Sequence, residues 1–487
     1  MLLNVVNKRA GEPQKLIVLL TIIIGKNMTQ AEKSIQERAD SIRDVIRYIG
    51  RFNNAIVVIY IDDRIIDSPM FTSHIHDIGL IKQSGLKVLL VPGAHKRIDG
   101  ILSKNSIEWT SCNGSRITSP QAMELIKTAA FEVANNVMTS LAGEHITAVI
   151  GNWVRARGKG VINGIDFGTA GEIDKIDDLS LKTVLEDGFI PIFPCIGWSL
   201  NGKPYNISSM QLATQLAVHL KADKLFFLVP EGEVTEKNFK LPEGIGLSPE
   251  GHVPALNIEE AEEFISVNED EEKLKSSDKK IVFEKENALR KNIISILKLS
   301  KEACKKGVAR AHILNGSVDG TLPCEIFSNL GSGTMVYSSD YGKIRAMRRE
   351  DISQVLSIIR PFVLDGILLP RTEEQLEASY SDYIVFEIDG AVRACSALHI
   401  YDRTQAEIAA VAVDKTFAHI GIGPKMISYL IEKAKTINLE SIFILTTQTA
   451  DWFENQGFKA DLVASLPEKR RKMWNEKRGS KVFRLFL

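Results

Sequence analysis

The sequence predicts a two-domain α/β protein. A large, mostly parallel sheet sandwiched by helices comes first, and a smaller α/β unit follows. Three observations predict this. The chain has 487 residues, and single cores stop growing at roughly 250–300 residues. From Ala55 onward, buried-strand and amphipathic-helix patterns alternate, the order that gives a parallel sheet covered on both faces. A second series begins beyond the polar run Ser338-Ser339-Asp340-Tyr341-Gly342, which reads as a linker. The expected divisions are a disordered extension over residues 1–28, one domain over 29–341 and another over 342–487.

The elements follow in order. LIVLLTIII at 16–24 is too short to cross a bilayer, which needs ~20 apolar residues. Lys8 and Arg9 precede it, as in a signal peptide, but Gly25-Lys26-Asn27 is a poor cleavage site. The stretch reads as an upstream extension, with Met28 as a plausible start. Ile35, Ala39, Ile42, Val45, Ile46 and Ile49 recur at helical spacing over residues 30–51. AIVVIYI (55–61) is a buried strand, SHIHDIGLIKQSG (73–85) a helix closed by Gly85, and LKVLLVPG (86–93) a second strand. A helix over 122–141, strands over 147–150 and 190–196, a helix over 209–220 and a strand over 221–229 continue the series.

Residues 255–290 include NEDEEKLKSSDKK, a charge run that reads as solvated surface or a mobile insertion. A helix ending at Gly307, strand ARAHIL, helix LPCEIF, loop GSGT and strand MVYS close the first domain. The second opens with an edge strand and a helix N-capped at Asp351.

Composition narrows the function. Charged residues are 25% of the chain and the net charge is −1, so there is no general electrostatic case for nucleic acid or an anionic membrane. The five cysteines (Cys112, Cys195, Cys304, Cys324, Cys395) are scattered, odd in number and free of C-x-x-C, and the nine histidines lack metal-ligand spacing. Neither a disulfide framework nor a metal site is expected, and a cytoplasmic location fits.

The stretch EIAAVAVDKTFAHIGIGPKMI (407–427) carries the chemistry. Its first half is a buried strand. Gly421 and Gly423 then precede an amphipathic helix through Met426, Ile427, Tyr429, Leu430 and Ile431. Strand, glycine loop and helix N-terminus together make an anion site, because the first helical N–H groups point outward at the ligand. A lone G-x-G is as often a plain turn.

Downstream, ESIFILTTQTADWFENQGFKA (440–460) adds a strand, a polar loop and a short helix ending in Asn455-Gln456-Gly457-Phe458. V-x-V-x(7)-G-x-G followed by these elements resembles the GNAT acetyltransferase superfamily, whose loop cradles the pyrophosphate of acetyl-CoA. This chain has Ala418 where the family loop often opens with Arg or Gln. HDIGLIKQSGLKVLLVPGAHKRID (76–99), NISSMQLATQLAVHLKADKL (206–225) and AHILNGSVDGTLPCEIFSNLGSGTMV (311–336) resemble the acetylglutamate kinase branch of the amino-acid kinase fold. The two in series resemble bacterial two-domain N-acetylglutamate synthases, from about Ser34 to the end of the chain.

The resemblance implies transfer of acetyl from acetyl-CoA to the amine of L-glutamate, the entry step of arginine biosynthesis, with L-arginine as feedback inhibitor. It implies a homo-oligomer, a hexamer among the options. It places Glu407 as general base, the backbone of Val411, Ala412 and Val413 beside the thioester, and His419, Gly421, Ile422, Gly423 and Lys425 around the pyrophosphate. Thr446 and Thr447 end the next strand and are the candidate acids for the thiolate; no Tyr stands in that loop. Two substrate carboxylates call for guanidinium partners. Arg478 and Ser480, expected in the last strand, and Arg371, after the first helix of this domain, are the candidates.

A kinase, alone or fused to the acetyltransferase, is the competing reading of the first domain. Acetylglutamate kinases carry a Lys and a Gly-Gly pair after the first strand. This chain reads Tyr60-Ile61-Asp62-Asp63 there, and Pro92-Gly93-Ala94-His95 at the second phosphate loop. Carboxylates repel a triphosphate, so ATP is not expected to bind. Arginine is expected instead, at His312, Glu325, Gly331 and Gly333, with Tyr48 as cover; Asp44 stands where a relative would carry His.

Overall fold

The computed structural model describes residues 52–487 apart from Asn113, Glu231, Glu243, residues 276–281, 328–330 and 339–341, and Asp389, together with scattered positions between 35 and 50. The extension over 1–28, Asp44 and Tyr48 lie outside the described residues.

The first sheet has eight strands. Their order is Ala255–Asn257, Thr334–Tyr337, Arg310–Asn315, Lys224–Val229, Ile56–Ile61, Lys87–Pro92, Ile190–Ile192, Ala148–Ile150. All neighbours run parallel except Arg310–Asn315 with Thr334–Tyr337. The period-two rule places Val57, Ile59 and Ile61 on one face and Val58 and Tyr60 on the other. Ile75, Ile78 and Ile81 of the helix Phe71–Gln83 cover the first face, with Met123 and Ile126 of Pro120–Gly143. Leu212 and Leu216 of Ser209–His219 cover the second. Burial on both faces is why Ile56–Ile61, IVVIYI, does not alternate with charged residues.

Two expectations change here. The segment over 255–290, expected as solvated surface or a mobile insertion, is regular structure wherever it is described. It is mostly helix, Ile258–Lys275 and the start of Val282–Lys305. Ala261, Phe264 and Ile265 recur at helical spacing and pack in the core beneath the charges. Asn268, the first residue of the charge run, is buried and bonds the backbone N and O of Lys240 at 3.0 and 2.9 Å. The strand expected over 190–196 is two strands, Ile190–Ile192 and Ile196–Trp198, with Pro194 in the break between them. Ile196–Trp198 belongs to a separate sheet with Pro204–Asn206, Val154–Gly158 and Gly171–Ile176.

The second large sheet has seven strands. Their order is Gly342–Ala346, Tyr383–Ile388, Ala391–Ile400, Gln405–Val413, Ser441–Thr446, Lys481–Phe486, Lys459–Asp461. Only Gln405–Val413 with Ser441–Thr446 is parallel. Ile422, Met426, Ile427 and Leu430 of the helix Ile422–Thr436 pack on one face. Ile352, Val355 and Ile359 of Ile352–Leu364 pack on the other. Asp351 does not cap that helix with its side chain. It accepts instead from Arg348 N at 2.7 Å and from Arg345 at 2.7 and 2.9 Å. Among the described residues no helix is long and apolar enough to cross a membrane.

Candidate active site

The site forms where two strands part. Gln405–Val413 pairs with Ser441–Thr446 only at Gln405, Ala406 and Glu407. Beyond Glu407 its edge has no strand partner on that side among the described residues. The cause lies in the strand itself. Ala410 has φ +53°, and the register with Ala391–Ile400 shifts between Cys395 and Ala397. A bulge bends the strand away and leaves the backbone of Val411, Ala412 and Val413 at the opening.

The glycine loop closes one end of this opening. Gly421 caps the helix Ile422–Thr436 with φ +72°, the left-handed region that favours glycine. A Cβ on Gly423 would stand 3.1 Å from Trp452, so glycine there lets the helix sit close on Ala450–Glu454. Ile422 is buried in the core. His419 lies in the 3-10 turn Lys415–Ile420, and its side chain is outside the described residues. Lys425 departs from expectation. Its ammonium binds Glu260 at 2.9 Å and Tyr337 Oη at 3.0 Å, both from the first domain, so it is directed away from the loop.

Glu407 is buried, 6% exposed, at the point where the strands part. Its Oε2 accepts from Arg470 Nε at 2.7 Å and from Tyr401 Oη at 2.9 Å, and its Oε1 from Arg470 Nη2 at 3.3 Å. Burial, then the Glu407 charge, raises the Tyr401 pKa far above the ordinary phenol value, so the hydroxyl stays a donor.

Three guanidinium groups converge here. Burial and then the charges of Arg371 and Arg470 hold the Arg478 pKa below its ordinary value. Arg478 donates to Ile367 O at 2.8 Å and Arg371 to Leu369 O at 3.3 Å. Glu407 is the only carboxylate bonded to any of the three among the described residues. Arg478 and Ser480 do not lie in the last strand, which begins at Lys481. Arg478 ends the 3-10 turn Glu476–Arg478, and Gly479 turns the chain with φ +66°.

Arg470 was not among the sequence candidates. It sits in the run Lys469-Arg470-Arg471-Lys472 on the short helix Glu468–Lys472. Such a run reads as a solvated face. Its neighbours are exposed, while the Arg470 side chain is 15% exposed. No local pattern selects one basic residue from four.

The two threonines differ. Thr446 Oγ1 accepts from Thr449 N at 3.0 Å and shares a 2.8 Å bond with Thr449 Oγ1, which anchors the turn. Thr447 Oγ1 is buried without a partner.

In the first domain, Asp62 binds Arg64 through both oxygens at 2.8 and 2.9 Å. Asp63 accepts from Lys96 N at 2.5 Å. Both line a cleft of about 490 Å³ with Tyr60, Gly93 and Arg116. A Cβ on Gly93 would meet Tyr60 Oη at 2.9 Å.

Further along, Glu325 Oε1 bonds His312 Nδ1 at 2.6 Å, and Oε2 accepts from Gly333 N at 3.1 Å and from Ser332 N. Glu325 therefore already braces the loop from Gly331, where φ is +65°, and it is not a free carboxylate. His312 stacks on Phe226 at 4.7 Å, and its Nε2 is buried without a partner. Among the described residues no group of His, Cys, Asp and Glu is set to hold a metal.

Comparison with known proteins agrees with this architecture. Residues 55–315 match the Amino acid kinase family, and residues 352–458 match the Acetyltransferase (GNAT) family. The amino-acid acetyltransferase of Vibrio vulnificus (strain CMCP6) is 31% identical over 449 residues, 90% of this chain and 96% of that protein. That of Aliivibrio fischeri (strain ATCC 700601 / ES114) is 32% identical over 446 residues, 89% of this chain and 95% of that protein. The crystal structure of N-acetylglutamate synthase from Neisseria gonorrhoeae complexed with coenzyme A and L-arginine superposes with a TM-score of 0.71. It is 29% identical and covers 92% of this chain and 99% of that one. A second structure of that protein, with coenzyme A and N-acetyl-glutamate, gives 0.55. With relatives above 30% identity matched over nearly their whole length, and both domain families matched in order, the chain belongs to the amino-acid acetyltransferase family.

Proposed function

We propose that this amino-acid acetyltransferase moves the acetyl group of acetyl-CoA to the α-amine of L-glutamate, and that L-arginine inhibits it through the first domain. One observation carries the acceptor. The charges of Arg371 and Arg470 both act on Arg478, and among the described residues Glu407 is the one carboxylate bonded to any of the three, which leaves two of these cations for a ligand. A dicarboxylate supplies two charges in the planar geometry that guanidinium groups recognise. The relative crystallised with coenzyme A and N-acetyl-glutamate supports the same pair of ligands.

The chemistry follows from the residues. Gly421, Ile422 and Gly423 offer helix N-terminal amides to the pyrophosphate of acetyl-CoA. The unpaired edge at Val411, Ala412 and Val413 offers backbone donors to the pantetheine and the thioester carbonyl. Glu407, directly or through water, takes a proton from the acceptor ammonium. The amine lone pair forms the C–N bond and the C–S bond breaks. The nitrogen loses a second proton, and the thiolate leaves with one, for which Thr447 has an uncommitted hydroxyl. One proton is released to solvent.

For the first domain, the aspartates at the strand end support loss of phosphate binding. Glu325 and His312 support arginine, as does the relative solved with L-arginine. A guanidinium at Glu325 must compete with His312 for Oε1.

Release of CoA, measured with each amino acid in turn as acceptor, tests the activity. Glutamate should stand well above all others, and preference for a monocarboxylic amino acid would refute the reading. Calorimetry with arginine and with ATP–Mg²⁺, on the parent and on Glu325→Ala, tests the regulatory half. Tight ATP binding, or arginine binding indifferent to Glu325→Ala, would refute it.

A further inference from the structure

Arg470 holds the residue assigned as general base. Three of the four lone-pair sites of the Glu407 carboxylate are taken, two by Arg470 and one by Tyr401. Both partners of the ion pair are largely withdrawn from solvent, at 15% and 8% side-chain exposure. The one site left is on Oε1, beside the guanidinium. The same guanidinium is one of three that suit a dicarboxylate.

We propose that Arg470 is a substrate-operated gate: the α-carboxylate of the acceptor draws Arg470 off Glu407, and only then is Glu407 free to take the ammonium proton. This inference rests on the reading of Glu407 as base and L-glutamate as acceptor.

Geometry selects the α-carboxylate. The amine and the α-carboxylate share one carbon, so a base positioned at the amine has that carboxylate beside it. Arg470 is the cation bonded to the base. Arg371 and Arg478 are bonded to the carbonyls of Leu369 and Ile367 and not to Glu407. They are left for the side-chain carboxylate.

Charge explains why the exchange is feasible. Breaking a buried ion pair by removing one partner leaves an uncompensated charge, which is strongly unfavourable. Here neither charge is abandoned. Arg470 passes from one carboxylate to another, and Glu407 passes from the guanidinium to the acceptor ammonium. Tyr401 keeps its 2.9 Å bond to Oε2 and holds the carboxylate in place through the exchange. The gate would make turnover depend on an α-amino acid and not on any small amine.

The test separates kcat from KM for three acceptors. These are L-glutamate, 4-aminobutyrate, which lacks the α-carboxylate, and L-glutamine, which lacks the side-chain charge. In the parent, 4-aminobutyrate should lose kcat at saturation by ~10²-fold or more, the worth of a general base. Glutamine should lose mainly in KM. In Arg470→Gln the kcat gap between glutamate and 4-aminobutyrate should shrink to a few-fold. Arg470→Lys, which restores the cation, should reopen it and controls for folding. Acceptor basicity is the same for every variant and cancels from the comparison. A gap retained in Arg470→Gln, or a change confined to KM, overturns the gate. A parent that does not acetylate glutamate overturns the underlying activity instead. Arg470→Gln made no slower by adding Glu407→Gln would remove Glu407 as the base.

Discussion

Lys425 Nζ lies 2.9 Å from Glu260 Oε1, and this contact joins the helix of the glycine loop to the kinase-like domain. Tyr337, which also binds Lys425, ends the strand Thr334–Tyr337. That strand starts directly after the loop braced by Glu325. The candidate regulatory loop and the helix of the candidate acetyl-CoA loop are thus four residues of strand and one side-chain contact, Tyr337 with Lys425, apart. Glu260→Gln should release Lys425 toward an anion and lower the KM for acetyl-CoA a few-fold, in keeping with a partly exposed pair worth ~0.2–1 kcal/mol. Steady-state kinetics at low and high salt would check it, with the difference shrinking as salt rises.

Glu407→Gln keeps the shape of the side chain and removes its charge. The expected loss in kcat is ~10²–10⁴-fold, with acetyl-CoA binding unchanged. Rates equal to the parent across the pH range would remove Glu407 from the mechanism.

Arg478→Ala should weaken glutamate use by roughly 1.5–3 kcal/mol, the range for a hydrogen bond to a charged group. The loss should appear in the glutamate KM. Coenzyme A affinity, measured by calorimetry, should not move, since Arg478 belongs to the turn Glu476–Arg478 and not to the glycine loop.

The threonines should separate structure from chemistry. Thr446→Val loses the two bonds to Thr449 and should lower stability by about 0.5–1.5 kcal/mol per bond, read as a lower Tm. Thr447→Val buries no donor without a partner, so its Tm should hold or rise. If Thr447 protonates the thiolate, its kcat should fall while Thr446→Val loses chiefly stability. The opposite pattern would transfer the acid role to Thr446.

Acid should weaken the first domain through His312 and Glu325. Burial lowers the His312 pKa to about 4, against the pull of Glu325. Burial raises Glu325, but the bond and charge of His312, with the Ser332 amide, outweigh it and bring it to about 2. Both values lie below the ordinary 6.5 and 4.5, so the unfolded chain binds more protons. The stability is therefore complete above pH 6.5 and is lost as pH falls, through His312 down to about 4 and through Glu325 from 4.5 to about 2. His312→Gln keeps a donor for Glu325 without a titration. Its Tm should vary less than the parent's between pH 6.5 and 4.

By itself the sequence determined the elements and their order. The IVVIYI strand, the helix around Leu212 and Leu216 and the loop at Gly421 were legible because periodicity and glycine act over a few residues. Glu407 stood out as a candidate because an acidic residue there precedes an apolar strand and that loop; the strand itself begins two residues earlier, at Gln405. Tertiary structure decided which polar side chains meet. Arg470 reaches Glu407 across 63 residues of chain, and only the sheet order and the fold of a short basic helix bring them together. The direction of Lys425, the capture of Glu325 by its own loop and the different surroundings of Thr446 and Thr447 were decided in the same way. Each depends on a partner from another segment or on a turn's own geometry. A side chain of a given type reads the same in sequence whether it faces water, a ligand or a neighbour, and burial plus the nearest opposite charge makes the difference.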